Sequence, residues 1–417
     1  MIKQNNSSQA ETTEALNRTP ILEGDRTMWI IYAVLIVVSI LVVYSSTAKM
    51  VYDVTSSMTS IESLRMQIML IMVASLPVVF ITHKINHTFY NKITPWVFWI
   101  CVGLTLATYF FGESTNGAAR WIALGPVKIQ PSELLKISTI LMLARNMEAR
   151  QQNIDRIKLL PTSFKLRSAE QMRILKENSW PLLGPVVISC GVIAFAHVSS
   201  ALIIGIVSML MLYIGRVNWR ELLKVCFVGV AAAALLFTTL SLVGIGRGGT
   251  ASTRLETWIT ELFLTDGKKE RVYELSDTDR AMIAIHDGGI IGDGAGHSAS
   301  RAIVIHPESD YAFAFFSSEY GVVAAIVLML LYLWITFRSI EICRRCTTPF
   351  PTLLAAGLGI LITCQALLHI LVQVNLFPET GQTLPLISRG GSSLLSMSLA
   401  IGMIISISRT ATPISKE

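Results

Sequence analysis

The chain has 417 residues, of which 52% are hydrophobic and 15% charged, with a formal net charge of +6. Soluble domains carry about 25% charged residues, so this composition excludes a water-soluble globular protein. The surplus Lys and Arg residues are concentrated in a few loops between apolar runs, which is typical of membrane topology. We therefore predict an integral membrane protein with no nucleic-acid partner.

The apolar runs are long and do not alternate, so they predict α-helices and not a barrel. We expect a disordered cytoplasmic tail at 1–26, a membrane domain at 27–408 and a short cytoplasmic tail at 409–417. The fold class is therefore all-α, with about ten transmembrane helices. The predicted spans are 28–46, 66–82, 94–111, 133–147, 180–197, 198–215, 225–245, 311–337, 352–374 and 385–407.

The basic loops orient the chain. Loops 148–179, 216–224 and 338–351 are rich in Lys and Arg, and all three lie on one side if the N-terminus is inside. The positive-inside rule places that side and both termini in the cytoplasm. The long loop 246–310, between spans 7 and 8, is then extracytoplasmic, and loops of this length are usually functional. The other segments predicted outside are 47–65, 112–132 and 375–384.

Two carboxylates lie at the outer end of the eighth predicted span. Asp310 ends the long loop, and Glu319 follows nine residues later, about 13 Å further along a helix. Asp310 is either a functional group or a helix N-cap, a role equally open to Ser309. A carboxylate at the depth of Glu319 needs a cation, a hydrogen-bond donor or water, and a buried structural ion pair is the alternative to a functional role.

A second polar cluster leads into the fourth predicted span. It contains the stretches 116–121 and 130–136. Glu133 and Lys136 are three residues apart on one helix face, so they can form an internal pair. Lys136 is also about one turn inside the membrane, where a cation can meet a phosphate or Glu319.

Two glycine-rich segments lie on the same outer side. Residues 288–298 contain five glycines but lack the strand, helix and Lys-Ser/Thr context of a phosphate-binding loop. Residues 375–393 are polar and enter the outer face of the membrane, where irregular backbone is tolerated only in contact with protein or a cavity. Residue patterns alone therefore predict an outward-facing polar site, without naming its substrate.

Five motifs occur together in this order. They are Asn116-Gly-Ala-x-Arg120-Trp121; Gln130-Pro-Ser-Glu133-x-x-Lys136; Gly288-Gly289 with Gly292-x-Gly294-x-Gly296; Pro307-x-x-Asp310-x-x-Phe313 continuing to Glu319-x-Gly321; and Pro385-x-x-Ser388-x-Gly390-Gly391-Ser392-Ser393. With the ten predicted spans, this set resembles the SEDS family of bacterial cell-wall proteins, the FtsW/RodA/SpoVE group. The resemblance covers essentially the whole membrane domain.

The resemblance implies polymerisation of lipid II, the undecaprenyl-diphosphate disaccharide-peptide, at the outer face of the bacterial cytoplasmic membrane. Asp310 falls on the family's essential aspartate, and a carboxylate is suited to act as general base on the attacking sugar hydroxyl. The leaving diphosphate needs cations, for which Arg120, Lys136 and Arg254 are candidates, or a divalent metal ion such as Mg or Mn. The other residues implied to bind substrate are Trp121, Gln130, Ser132, Glu319, Ser388, Gly391 and Ser392.

Two stretches and one single residue depart from the family pattern. Residues 195–200 replace a Gln-Pro-Asp-Leu-Gly-Thr stretch, residues 277–280 replace a Gln-rich stretch, and Arg389 replaces a common Tyr. The beginning of the first span and the run Gly381–Pro385 resemble the division branch, FtsW, more than the elongation branch, RodA. This branch implies a class B penicillin-binding protein and other division proteins as partners, and a place at the septum.

Two readings compete with the enzyme. A transporter that flips the lipid-linked precursor would favour polar groups across the membrane midplane, whereas the candidates here crowd at the outer face. A non-catalytic scaffold of the division machinery would leave Asp310 replaceable by Asn. An elongation-type polymerase, RodA-like, is the alternative within the family.

Overall fold

The computed structural model describes residues 22–47, 60–115, 118–124, 127–160, 175–195, 197–243, 258 and 276–411. Within these ranges the chain is predominantly helical. The helices are α1 (Arg26–Thr47), α2 (Ser60–Leu70), α3 (Leu76–Thr82), α4 (His87–Phe111), α5 (Pro131–Glu148), α6 (Trp180–Ala194), α7 (Val198–Ile214), α8 (Trp219–Val243), α9 (Asp277–Asp287), α10 (Ala312–Arg345), α11 (Pro349–Gln373) and α12 (Gly391–Thr410). A π-helical turn, Ile71–Ser75, joins α2 to α3, so these two form one rod.

Each predicted span overlaps one of these helices or, for 66–82, the rod of α2 and α3, but their ability to cross a membrane differs. Six stretches in the described chain are long and apolar enough, namely Arg26–Ser46, Leu64–Thr82, His87–Phe111, Ala312–Cys343, Pro349–Gln373 and Gly391–Thr410. Helices α6 and α7 have 15 and 17 residues, fewer than the roughly 20 that a span needs. Helix α5 carries Glu133, Lys136, Arg145 and Glu148. The structure therefore confirms the helical class and six candidate spans, and ten crossings stay a prediction.

The last predicted span begins too early. Residues 385–390 form an irregular turn, and α12 begins at Gly391. Pro385 cannot donate a backbone hydrogen bond, and Leu386 has a positive φ of 65°, so this stretch is not helical. Residues 385–388 are nevertheless buried, and their carbonyls accept hydrogen bonds from Tyr332 of α10 and Ser39 of α1.

Helix α11 lies at the centre of the bundle. It packs against α5, α7, α10 and α12, and about four-fifths of its apolar stretch is buried. Both sides of a centrally placed helix can therefore carry polar groups that never meet lipid. Gln365, His369 and Gln373 are such groups, each at most 2% exposed.

A small antiparallel sheet occupies the predicted outer segment 112–132. Its strands are β1 (Glu113–Thr115), β2 (Ala118–Leu124) and β3 (Val127–Ile129), with β2 in the centre. The all-α expectation missed it, although Gly-Pro at 125–126 between two short apolar segments is a hairpin signal. Strand β2 lies against α4, and β3 lies against α12.

The last residues of the predicted N-terminal tail 1–26 belong to the folded part of the chain. Asp25 caps α1 by accepting a hydrogen bond from Met28 N, and its carboxylate pairs with Arg338 Nη2 at 2.6 Å. Glu23 Oε2 lies 3.1 Å from Arg409 Nη1. These ion pairs join the ends of α1, α10 and α12, so residues 23–26 are part of the fold, whereas residues 1–21 lie outside the described residues.

Candidate functional site

Asp310 lies in a turn two residues before Ala312, the first residue of α10. The N-cap residue of α10 is Tyr311, whose side chain makes no capping bond. The N-cap position predicted for Ser309 or Asp310 is therefore occupied by neither. Asp310 itself is half-buried.

Three hydrogen bonds from the other side of the bundle fix the backbone of this turn. Gln373 Nε2, at the end of α11, donates to Asp310 O at 3.2 Å. Ser388 Oγ donates to Ser309 O, and Arg389 N donates to Glu308 O, both at 2.7 Å. The turn is thus held by α11 and by the connection between α11 and α12.

The carboxylate of Asp310 lies beside the predicted outer segment 375–384. A Cβ added to Gly381 would lie 3.9 Å from Asp310 Oδ2, so the backbone of Gly381 runs next to the carboxylate. Next to it, Tyr311 donates its hydroxyl hydrogen to Glu379 Oε1. The last two sequence motifs are therefore one structural unit.

Lys136 is fully buried and bonded to protein groups. Its Nζ lies 2.8 Å from Glu133 Oε1 and donates to Gln365 Oε1 at 2.6 Å. The internal pair with Glu133 is present, whereas Glu319, the alternative partner of Lys136, is paired with Arg301. Gln365 in turn donates to Thr383 O at 3.3 Å, so Lys136 supports the outer segment through Gln365.

Three other predicted binding residues meet at the ends of α5 and α12. Gln130 N donates to Ser392 Oγ at 2.8 Å, and Gln130 Nε2 donates to Ser132 Oγ at 3.1 Å. Gln130 Nε2 also lies 3.0 Å from Nε2 of His197, a residue in the stretch that departs from the family pattern. The same stretch supplies Ser200, whose Oγ accepts from Gln382 Nε2 at 2.8 Å. The sequence analysis assigned no role to this stretch, so these two contacts were missed.

The remaining predicted site residues are less closely connected. Trp121 is half-buried on β2, where it is paired with Glu113 of β1. Gly391 begins α12 next to Leu70. Arg120 belongs to β2, but its side chain lies outside the described residues, as does the whole of Arg254.

Glu319 is 1% exposed and has a cation that the sequence analysis missed. Arg301 Nη2 donates to Glu319 Oε1 at 3.0 Å, and Gly296 N donates to the same oxygen at 3.0 Å. Ser45 of α1 donates to it as well. Arg301 is the only Lys or Arg between residues 281 and 310, which is the signal that could have identified it.

The glycine-rich loop 288–296 packs directly on a break in α10. Gly321 has φ 79° and ψ 171°, which interrupts the helix. Asp293 N and Gly294 N donate to the carbonyls of residues 318 and 319, at 3.2 and 2.9 Å. Val322 N and Val323 N donate to the carbonyls of residues 289 and 290, at 3.0 and 3.4 Å. The loop thereby replaces the two helical hydrogen bonds lost at the break.

Only glycine fits this contact. A Cβ on Gly292 would lie 2.3 Å from Glu319 O, and one on Gly321 would lie 2.3 Å from Ile290 O. Both residues also have positive φ, which L side chains rarely adopt. The third motif is therefore explained by close backbone approach, which sets the position of Glu319.

His306 and Glu308 lie beside Asp310. His306 Nδ1 is 3.9 Å from Glu308 Oε1, and this contact, despite partial burial, raises the pKa of His306 above 6.5. Burial of Glu308 raises its pKa, but the contact with His306 and the charge of Arg389 outweigh it and bring that pKa below 4.5. Burial, followed by the charge of Glu379, raises the pKa of Tyr311. The Asp310 turn is therefore rich in ionisable groups.

Comparison with known proteins agrees with this architecture. The family model described as "Cell cycle protein", covering FtsW, RodA and SpoVE, matches residues 25–412. The chain belongs to the FtsW/RodA/SpoVE family. It is accordingly a multi-pass membrane protein.

Two curated relatives illustrate the two branches of the family. The peptidoglycan glycosyltransferase MrdB of Escherichia coli K12 is 26% identical over 406 residues, which cover 94% of this chain and 95% of MrdB. The probable peptidoglycan glycosyltransferase FtsW of Thiomicrospira cyclica is 29% identical over 320 residues, which cover 74% of this chain and 73% of that protein.

Two solved structures share the fold. One, described as a peptidoglycan synthase complex that coordinates polymerization and crosslinking, has a TM-score of 0.68 at 20% identity, covering 93% of this chain and 98% of that one. The other, the rod shape determining protein RodA of Thermus thermophilus, has a TM-score of 0.59 at 19% identity, covering 94% of this chain and 98% of RodA.

Proposed function

We propose that this protein is a peptidoglycan glycosyltransferase that polymerises lipid II, with Asp310 as the general base. The observation that carries the proposal is the placement of Asp310. Gln373 donates to its carbonyl oxygen and Ser388 to that of the preceding Ser309, while its half-buried carboxylate lies next to Gly381. A rigid backbone with an accessible carboxylate is what general-base catalysis requires.

The reaction is a displacement at the anomeric carbon of the donor sugar. The Asp310 carboxylate takes the proton of the acceptor hydroxyl as its oxygen bonds to that carbon. The bond between the carbon and the diphosphate oxygen breaks, and undecaprenyl diphosphate leaves with the electron pair. Cationic groups that meet this developing charge lower the barrier.

The other carboxylate, Glu319, positions the site. It is neutralised by Arg301 and anchors the glycine-rich loop through Gly296 N. Lys136 is likewise neutralised by Glu133. We therefore assign both ion pairs to support of the site, and keep Arg120 and Arg254 as candidate ligands of the diphosphate.

Whether polymerisation requires a divalent cation is a question for experiment. In the described part of the chain, no group of three or more His, Cys, Asp or Glu side chains is arranged to hold a metal ion. We therefore assign no metal ligand. Polymerisation measured after chelation, and again after addition of Mg²⁺ or Mn²⁺, tests the requirement.

We further propose the division branch, with a class B penicillin-binding protein and other division proteins as partners at the septum of the bacterial cytoplasmic membrane. The motif likeness around Gly381–Pro385 supports this branch. The fold shared with a synthase complex supports a crosslinking partner. The elongation role is the alternative, and localisation of a fluorescent fusion to the septum or to the lateral wall distinguishes the two.

The deciding experiment is glycan synthesis by the purified protein from lipid II, with and without its cognate penicillin-binding protein. We expect polymer from the native protein and from Asp155→Asn, an exposed-residue control far from the site. Asp310→Asn should give none while keeping its melting temperature. Polymer from Asp310→Asn would remove Asp310 as the base.

A negative result for the native protein, with partner and divalent cations present, would leave the transporter and the scaffold. Movement of fluorescent lipid II across proteoliposome membranes then decides between these two.

A further inference from the structure

Two buried polar residues, one helical turn apart on α11, join the Asp310 turn to the outer segment 375–384. Gln373 Nε2 donates a hydrogen bond to Asp310 O at 3.2 Å, and His369 Nδ1 lies 2.8 Å from Gln382 O. Gln373 Nε2 and His369 Nε2 are hydrogen-bonded to each other. Both side chains are at most 2% exposed, so their polar groups find their partners within the protein.

The contacts of this pair fit one arrangement of hydrogens. A carbonyl oxygen can only accept, so the contact with Gln382 O places a hydrogen on His369 Nδ1. A second ring hydrogen, on Nε2, would face the N–H groups of Gln373. His369 Nε2 is therefore an acceptor, and the two amide hydrogens of Gln373 go to His369 Nε2 and to Asp310 O.

The carbonyl end of the Gln373 amide holds the beginning of α10. Ala314 N donates to Gln373 Oε1 at 2.5 Å. Ala314 is the third residue of α10, and the first four N–H groups of an α-helix have no partner within the helix. One amide therefore caps α10 and holds the carbonyl of Asp310. Turned end for end, this amide would place N–H groups against Ala314 N–H and an oxygen against Asp310 O.

The residue on the other side of His369 is also fixed. Gln382 Nε2 donates to Ser199 Oγ at 3.1 Å and to Ser200 Oγ at 2.8 Å. Gln382 follows Gly381, whose backbone runs next to the Asp310 carboxylate. His369 therefore contacts the outer segment directly and the Asp310 turn through Gln373.

From these contacts we infer that His369 is a positioning residue for glycosyl transfer, which acts through Gln373 on Asp310. The acceptor nitrogen of the ring selects the orientation of the Gln373 amide, and this orientation sets where Asp310 lies relative to the outer segment. The inference rests on the proposed function, because that function gives Asp310 its role as the base.

Two substitutions separate the roles of the two ring nitrogens. His369→Asn places an amide near the Nδ1 position, so it can still donate to Gln382 O but offers no acceptor to Gln373. His369→Gln is one carbon longer and reaches the Nε2 position, so it can still accept from Gln373. These two variants differ by one methylene group at the same buried position, so each is the matched control of the other.

The first measurement is steady-state polymerisation of lipid II by the full-length protein. We expect His369→Asn to lower kcat about tenfold with an unchanged KM, since a misplacement of about 1 Å can lower a rate about a hundredfold. His369→Gln should keep most of the native kcat, and His286→Asn, at an exposed histidine of α9, should keep all of it. Equal losses in His369→Asn and His369→Gln, or a native kcat in His369→Asn, would overturn the inference.

The second measurement is amide hydrogen exchange at the beginning of α10, which needs no activity. The Ala314 N–H should exchange faster in His369→Asn, because the Gln373 amide is no longer held, and at the native rate in His369→Gln. Unchanged exchange in His369→Asn would overturn the inference. If the native protein makes no polymer but the exchange pattern appears, the proposed function fails and the control of the Gln373 amide by His369 remains.

Discussion

Glu319 Oε1 and Arg301 Nη2 lie 3.0 Å apart, and this ion pair connects a membrane helix to the loop outside it. Glu319 belongs to α10, just before its break at Gly321, and Arg301 belongs to a 3-10 turn of the loop. Gly296 N and Ser45 complete the contacts of the same carboxylate oxygen. One buried charge therefore joins α1, α10 and the loop that leads to Asp310.

Replacing Arg301 should destabilise the protein strongly. Arg301→Met leaves the Glu319 carboxylate buried without its cation, and breaking a buried pair in this way costs about 3–5 kcal/mol. The measurement is the melting temperature in detergent, with the exposed Arg344→Met as control. Adding Glu319→Gln to Arg301→Met should recover part of the loss, and a double variant less stable than the single one would contradict the ion-pair account.

The Lys136 pair should behave in the same way. Lys136→Met leaves Glu133 uncompensated at 5% exposure, so we expect a loss of similar size. Glu133→Gln together with Lys136→Met removes both charges and should restore most of the stability. If the stable double variant still polymerises lipid II, Lys136 has a structural role; if it folds but binds no diphosphate, the phosphate-binding alternative is correct.

The loop–helix contact predicts a large effect of single methyl groups. Gly321→Ala and Gly292→Ala each place a Cβ 2.3 Å from a backbone carbonyl oxygen and force a positive φ on an L residue. Both variants should therefore lower the melting temperature markedly. Gly103→Ala in α4, where no atom lies within 4 Å of the added Cβ, should be neutral or slightly stabilising. Equal melting temperatures for all three variants would show that the loop can shift to accept the added Cβ without loss of stability.

Stability should depend on pH through His306. Its pKa is raised in the folded state, so its contribution is fully present below the ordinary value of 6.5 and is lost as the pH rises through the folded value. Glu308, whose pKa is lowered, contributes above 4.5. The destabilisation by His306→Gln should therefore be largest between about pH 4.5 and 6.5 and vanish at alkaline pH.

We expect this effect to be small, since the His306 side chain is 67% exposed. His286→Gln, at a histidine that is 92% exposed, serves as the control in the same melting series. A His306→Gln deficit that grows as the pH rises would contradict the assigned sign.

The helices could be predicted from the sequence because lipid enforces long apolar segments. Prediction failed where protein contacts replace lipid. Residues 385–390 are apolar enough to be taken for the start of a span, yet they form a turn because Tyr332 and Ser39 donate hydrogen bonds to the carbonyls of residues 385 and 387. Such long-range partners are invisible in local sequence.

The candidate site was likewise predictable from the sequence only in part. Local motifs identified Asp310, Gln130 and Ser388 as neighbours in one polar region, and the structure brings them to the same end of the bundle. The sequence could not show which residue contacts each buried charge. Arg301 is 18 positions from Glu319, and Gln365 is 229 positions from Lys136.

The break in α10 makes the outer loop and the membrane helix inseparable in any exchange between relatives. Four backbone groups of α10, two carbonyls and two N–H groups, are hydrogen-bonded to residues 289–294. A chimera that receives a foreign loop but keeps its own helix would carry these four groups into the bilayer unpaired, at several kcal/mol each. The transferable segment therefore extends from the glycine-rich loop through Val323.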